Sequence, residues 1–337
     1  MSDDIKDITI IGAGPVGLSA AFWAGMRQAS VRLIDSLPEI GGQCKTLYPE
    51  KWIFDVPGHP KVLAKDLVDQ LVEQIAPFDV PVELETTAHA ISWDDDVVTL
   101  HTDRGELLSR TVILAGGHGA FEPKKLPVSD VDMSPWEGRG ASYLVGDKGD
   151  FAGRRVVIVG GGDSAFDWVV NLVDTASEVT LVHRRAGYRA HEATVQEVIE
   201  HVDAGRVGLR VPYVIKGVEG NGSIEAVELH NAEDGSVERL ACDHVLLQLG
   251  FSTKLGPLKE WGFELSKGAI VVDGVMKTNL DRVWACGDIT TFDGKLKLIA
   301  TGFAEAAVAV AQAVHHIRPD MKLQPAYSTN TGVPVAA

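Results

Sequence analysis

Cysteine is scarce in this chain. There are three, Cys44, Cys242 and Cys286. No two form a CxxC and none stands at metal-ligand spacing from histidines, which argues against a disulfide framework and a zinc site. Reduced, partly buried thiols are expected, as the cytoplasm favours. Long apolar runs are also lacking: no segment reaches the ~18 consecutive apolar residues of a membrane span. Residues 1–7 hold three aspartates and one lysine, not the basic-then-apolar pattern of a signal peptide. The expectation is a cytoplasmic protein with no membrane association. Positive charge is in short supply, 31 Lys and Arg against 47 Asp and Glu, for a net charge of -16. That argues against non-specific binding to nucleic acid or to an anionic membrane, although a local basic patch remains compatible with it.

What is present is glycine, 35 residues of it, concentrated in short clusters. The 337 residues suggest two domains at roughly 100–200 residues each. An internal repeat organises them. Residues 7–17 are an apolar strand run, a turn through Gly12, Gly14 and Gly17, and the start of an alanine-rich helix. Residues 155–165 repeat the design with Gly160, Gly162 and Ala165. A second strand ends at Asp35 in the first copy and at His183 in the second, in each case 23 residues after the first glycine. Further strands are expected at 97–100, 111–114, 244–247 and 282–285, and helices at 62–75, 164–173, 192–202 and 302–316. The alternation implies an α/β fold with open, mainly parallel sheets: two Rossmann-like dinucleotide-binding domains. The glycine-containing stretches 116–119 and 250–253 mark the crossings. The second domain, 119–251, is then inserted into the first, 1–118 and 252–337, with a tail from about 319.

In the first copy, Gly12 permits the tight turn, Gly14 lets a pyrophosphate approach the backbone, and Gly17 lets helix and strand pack. The phosphates meet free N–H groups at the helix start. Asp35 can accept hydrogen bonds from ribose hydroxyls. These residues do not by themselves separate FAD from NAD. In the second copy, Gly160, Gly162 and Ala165 form the turn, with Asp163 and Ser164 opening the helix. His183, Arg184 and Arg185 stand where an acid would select NAD, and Arg189 follows. Arginine forks suit the 2′-phosphate of NADP, so NADPH is expected over NADH. Two dinucleotide sites imply electron transfer between two cofactors, and FAD is the natural choice for the tightly held one.

Together with Gly41, Gly42 and Gln43, Gly116 and Gly117, and Cys286, Gly287 and Asp288, these motifs resemble the thioredoxin reductase-like flavoproteins from about Ile8 to His316. The segment 138–149 departs from them: Leu144 and Asp147 occupy the two positions of the redox CxxC. A dithiol relay needs thiolates, so disulfide reduction by that route is disfavoured. The chain is similar nearly end to end to the branch without those cysteines, the ferredoxin–NADP reductases of the thioredoxin reductase-like type (type 2). The supporting stretches include 48–51, 55–58, 115–123, 160–168, 189–192 and 324–329.

The resemblance implies a homodimer whose tail covers the flavin of the partner subunit. It implies FAD contacts from the first glycine turn with Pro15, and from Asp35, Gly42, Gln43, Tyr48, Ala88, Phe121, Asp288 and Thr329. Tyr48, Tyr327 and Ser328 are the candidates to face the flavin ring. No acid–base residue is required, because hydride passes directly from nicotinamide to flavin; His118, His183 and His191 are not catalytic candidates. No metal is expected. The implied partner is ferredoxin or flavodoxin. Since ferredoxins are usually acidic, a basic face is needed, for which Lys124, Lys125, Arg139, Arg154, Arg155, Lys295 and Lys297 are candidates. Alternatives are an NADPH-dependent reductase of quinones, ferric chelates or small disulfides, and a non-catalytic redox sensor.

Overall fold

The computed structural model describes residues 5–117, 119–127 and 130–334, with backbone alone for 120–123 and 251–254. The chain divides into two compact units: residues up to Phe121 together with those from Thr253 onward, and Glu122–Ser252 between them. His118, where the sequence suggests a crossing, lies outside the described residues.

The first unit opens with β1 (Lys6–Ile11), α1 (Pro15–Met26) and β2 (Val31–Ile34). Ile8, Ile10, Leu33 and Ile34 are fully buried. These strands are near-continuous apolar runs because both faces of a parallel sheet are covered. Pro15 stands in the first turn of α1, where its missing N–H costs no helical bond. The short α2 (Gly42–Thr46) and then α3 (Ala64–Ile75) follow. α3 buries Leu67, Val68, Leu71 and Ile75, an apolar stripe at helical spacing. β3 (Val82–Glu83) adds to β2, and β4 (Ala88–Asp94), β5 (Val97–Thr102) and β6 (Gly105–Leu114) form an antiparallel meander. The sheet runs β3-β2-β1-β6-β5-β4. The chain leaves through residues 120–123, which pair with 251–254 where it returns.

The inserted unit contains β7 (Arg155–Val159), α4 (Asp163–Leu172), β8 (Glu178–Val182), α5 (Glu192–Asp203) and β9 (Val207–Arg210). β10 (Tyr213–Glu219), β11 (Ala226–Asn231) and β12 (Val237–Ala241) make a separate antiparallel sheet, before β13 (His244–Leu247). The parallel sheet runs Ala141–Ser142, β13, β7, β8, β9. Back in the first unit, β14 (Val283–Ala285) pairs in parallel with the last residues of β6, and α6 (Ile299–Ile317) packs on α1. The tail carries a single short turn of helix, α7 (Ser328–Thr331).

The internal repeat is a repeat of register as well as of residues. Ile8 faces Val31 across β1 and β2, and Arg155 faces Glu178 across β7 and β8, partners 23 apart in both copies. Both units are Rossmann-like, the second inserted in the first. The expectation of mainly parallel sheets holds for the strands that carry the glycine turns but not for the β4–β6 meander or β10–β12. Among the described residues, no helix is long and apolar enough to cross a membrane.

Candidate functional site

The first glycine turn is fixed by close packing at two of its glycines and open at the third. Gly12 has φ +112°, and a Cβ there would lie 2.5 Å from the Ala115 carbonyl oxygen. A Cβ on Gly17 would lie 1.7 Å from the Gly12 carbonyl oxygen. Gly14 is extended, and a Cβ on it would have Gly42 Cα, 3.9 Å away, as its nearest neighbour. No side chain caps the first turn of α1, so its leading N–H groups are available to an anion. Asp35, at the end of β2, reaches back to the turn: Ala13 N–H donates to Oδ2 (2.6 Å) and Leu37 N–H to Oδ1 (2.9 Å). Burial raises the Asp35 pKa, and the backbone N–H groups of Leu37, Ala13 and Ser36 oppose the rise.

This turn forms one wall of a cavity of about 720 Å³. Gly12, Gly14, Pro15, Asp35, Gly42, Gln43, Tyr48, Ala88 and Asp288 all line it. Gly17 sits beneath, where it lets α1 meet β1. Tyr48 holds its hydroxyl 3.6 Å from Cys44 Sγ, and burial pushes the pKa of both groups upward, so both stay neutral near pH 7. Gly287, at φ +77°, packs on Val16 and presents Asp288. Tyr327, Ser328 and Thr329 are exposed, Tyr327 at 70%, and do not line the cavity of their own chain. The side chain of Phe121 lies outside the described residues.

Sequence reasoning missed much of the lining: Lys51, Trp52, Phe54, Thr86, Thr87, Leu255, Pro257, Leu258, Lys297 and Leu298. They come from connecting segments and from very short elements, such as the strand Trp52–Ile53, that carry no periodic signal. The adjacency of Trp52 and Phe54 to Tyr48, and of Thr86 and Thr87 to Ala88, is the one hint the sequence offers.

The second turn repeats this division of labour. A Cβ on Gly160 would lie 2.4 Å from the Gln248 carbonyl oxygen, and one on Gly161 would lie 2.1 Å from the His183 ring. Gly162 caps α4 in an extended conformation with nothing within 4 Å of a Cβ. The loop after β8 is stitched to the turn at two points: Arg189 N–H donates to the Gly161 carbonyl (2.7 Å), and His191 N–H to Asp163 Oδ1 (2.8 Å). Ala165 is fully buried behind the turn and Ser164 follows Asp163 at the helix start. His183 donates from Nε2 to the Gly187 carbonyl (3.2 Å), and its pKa is lowered by burial and then by Arg184 and Arg185. Arg184, Arg185 and Arg189 are exposed, and none forms an ion pair among the described residues. His191 caps α5, with Nδ1 accepting from Ala193 N–H.

All three cysteines are free and buried. Burial raises the pKa of each, that of Cys242 to about 12. Leu144 is 40% exposed, and Asp147 Oδ1 accepts from Gly149 N–H, so neither position offers sulfur chemistry. Of the candidate basic face, Lys295 is removed: its side chain is 6% exposed and paired with Glu305, because a buried carboxylate needs a counter-charge. Lys125 is paired with Glu137 and Arg155 with Asp243, and Arg139 donates to the Pro135 carbonyl, while Lys124, Arg154 and Lys297 are exposed. Among the described residues, no cluster of His, Cys, Asp or Glu could hold a metal.

Comparison with known proteins agrees with this geometry. The family model described as pyridine nucleotide-disulphide oxidoreductase matches residues 6–313. A protein of Thermus thermophilus named ferredoxin–NADP reductase is 46% identical over 336 residues, 99% of each chain. One of Enterococcus faecalis with the same name is 44% identical over 342 residues, covering 99% of this chain and all of the relative. The fold is shared with the thioredoxin reductase of Lactococcus lactis (TM-score 0.72, 23% identity, 93% of this chain and 99% of that one). It is likewise shared with that of T. acidophilum (TM-score 0.73, 22% identity, 94% and 100%). The chain belongs to the pyridine nucleotide-disulphide oxidoreductase family, beside relatives named ferredoxin–NADP reductase.

Proposed function

We propose that the chain is a ferredoxin–NADP reductase: an FAD-dependent cytoplasmic homodimer that moves electrons between NADPH and a ferredoxin or flavodoxin. The observation that carries this reading is the pair of glycine turns with opposite endings. One ends on a half-buried carboxylate beside a large cavity, the other on three exposed arginines that form no ion pair among the described residues. We assign FAD to the first unit and NADPH to the inserted one.

The residues present fit those groups. Gly14 and Gly42 leave the cradle empty of side chains, so a pyrophosphate can approach the N–H groups at the start of α1. Asp35, already held by two backbone N–H groups, has remaining lone pairs for ribose hydroxyls. Tyr48 offers a neutral, half-buried ring as one wall. Gly162 leaves the corresponding space in the second turn, and Arg184, Arg185 and Arg189 supply the charge for a 2′-phosphate. A bound flavin supplies the exchange between two-electron hydride transfer and one-electron transfer, while the protein orients and shields. With Leu144 and Asp147 at the dithiol positions and each cysteine buried and free, electrons leave without a thiol relay. The exposed Tyr327, Ser328 and Thr329 would complete the site of a second copy.

The test is reduction of cytochrome c by the purified protein with NADPH or NADH, with and without ferredoxin. Strong stimulation by ferredoxin with NADPH alone supports the proposal. NADPH-dependent bleaching of the flavin without stimulation would keep the cofactors and remove the partner.

A further inference from the structure

We infer that the buried ion pair between Lys295 and Glu305 is a positioning device for the first cavity. It clamps the two ends of one loop wall and cancels its own charge beside the bound group. The inference rests on the assignment of FAD to that cavity.

The connection from Cys286 to α6 is a 3-10 turn (Gly287–Ile289), a short strand at Thr290–Thr291 paired with Ile270–Val271, and a loop; its two ends both line the cavity, Gly287 and Asp288 at one and Lys297, Leu298 and Ile299 at the other. Glu305 sits on α6 three residues after Gly302, hence on the same face. Gly302 brings that face close: a Cβ there would lie 2.5 Å from Val16 and 3.6 Å from Gly287 Cα. Glu305 is thereby delivered beneath the Gly287 turn, where Oε2 accepts the Gly287 N–H at 2.7 Å. Lys295, from the middle of the loop, donates Nζ to both carboxylate oxygens at 2.6 Å. The two side chains are 6% and 7% exposed.

Stability does not account for such a pair, because an apolar pair of similar volume is often as stable or more so. Packing does not account for it either, since α6 is already seated on α1 through Gly302. What the charged pair does is specific. The carboxylate fixes the peptide that presents Asp288, and the lysine fixes the chain leading to Lys297. The lysine also prevents a bare negative charge from sitting one hydrogen bond behind Gly287 in the cavity wall, where it would oppose the addition of electrons to a bound flavin. The neighbouring thiol registers both members: burial raises the Cys286 pKa, Glu305 adds to the rise and Lys295 opposes it.

The experiment uses the purified full chain and reads FAD retention and flavin midpoint potential. A wild-type protein that neither carries nor takes up flavin refutes the cofactor assignment and this inference with it. With flavin present in the wild type, Lys295→Met should weaken FAD retention by about tenfold or more and lower the midpoint potential. Adding Glu305→Gln to that variant removes the uncompensated charge and keeps an oxygen to accept the Gly287 N–H. It should restore the potential to the wild-type value and the affinity to within about threefold. Wild-type retention and potential in Lys295→Met overturn the inference. A double variant no better than Lys295→Met also overturns it, since loss of packing alone gives that pattern. If Lys295→Met does not fold, Glu305→Gln alone leaves the lysine charge uncompensated and should raise the potential; an unchanged potential refutes the charge-balancing role.

Discussion

The two outer glycines of the second turn should respond in opposite ways to one added methyl group. In Gly160→Ala the new Cβ stands 2.4 Å from the Gln248 carbonyl oxygen and 2.9 Å from Ala165 Cβ. Both are backbone or short side-chain atoms with no room to swing away. The Gln248 N–H also donates to Val159, so relief would disturb the pairing of β7 with β13. Overpacking of this kind costs about 1–3 kcal/mol. In Gly162→Ala the methyl meets nothing within 4 Å, and the extended backbone there (φ -108°, ψ 180°) suits any residue. Its stability should stay within about 0.5 kcal/mol of wild type. The methyl does, however, occupy the space proposed for a pyrophosphate. A misfit costing about 1.4–2.8 kcal/mol would raise the KM for NADPH about 10–100-fold. Urea denaturation and steady-state kinetics with NADPH separate the two effects. A Gly162→Ala enzyme with wild-type KM, or with the stability loss expected for Gly160→Ala, refutes the assignment of that space.

Replacing Arg184 and Arg185 together by alanine should lower kcat/KM for NADPH about 10–100-fold, as a total loss of about 1.4–2.8 kcal/mol in charge-assisted contacts on an exposed site does. NADH turnover should hardly change; an equal loss with both cofactors would refute the 2′-phosphate role. In the inserted unit, burial and then Arg154 push the His244 pKa down to about 4, while Ser142 and Phe151 hold the ring. Its folded pKa is below the unfolded one, so the unfolded state takes up the proton first. The contribution is complete above about pH 6.5 and is lost as pH falls towards 4, at most about 3 kcal/mol. His244→Gln should flatten the urea midpoint across that window; an unchanged slope would count against the buried neutral ring. Arg27 is 6% exposed and donates to the carbonyls of Lys322 and Leu323. Arg27→Met should therefore speed limited proteolysis of the tail beyond residue 321 while sparing the core.

The glycine turns were legible in the sequence because backbone geometry there tolerates one residue type. Gly12 needs a positive φ, and Gly17 and Gly160 sit where any Cβ collides with a carbonyl oxygen. The strands beside them were legible because full burial on both faces leaves an unbroken apolar run. The antiparallel parts were harder to read. β10 shifts register between Ile215 and Gly217, which breaks its alternation, and β4 ends in three exposed residues. Part of the cavity wall was illegible for another reason. Residues 51–54, 255–258 and 297–299 are brought together by the return of the chain, and no local pattern marks their meeting. Lys295 shows the same limit: a lysine in a loop reads as a surface charge until its buried partner is seen.

The repeat explains why one fold can serve two ligands held in different ways. Both copies keep the same 23-residue register and the same uncapped helix start, so both can cradle a dinucleotide. They differ in what surrounds the cradle. In the first, Asp35 turns inward to the glycine turn, and walls arrive from several further parts of the unit: the 42–55 segment, the residues around Ala88, residues 115–117 and 255–258, and the connection before α6. A ligand held against that many segments would be retained more firmly than one met by a single loop. In the second, the groups that would read the ligand are exposed arginines on one loop, tied to the turn by Arg189 N–H and Asp163. Their contribution is charge at the surface, which speeds arrival and does not block departure. These two environments suit the resident redox group and the exchangeable nicotinamide proposed for them, and the repeated β-α-β unit would supply the cradle of each.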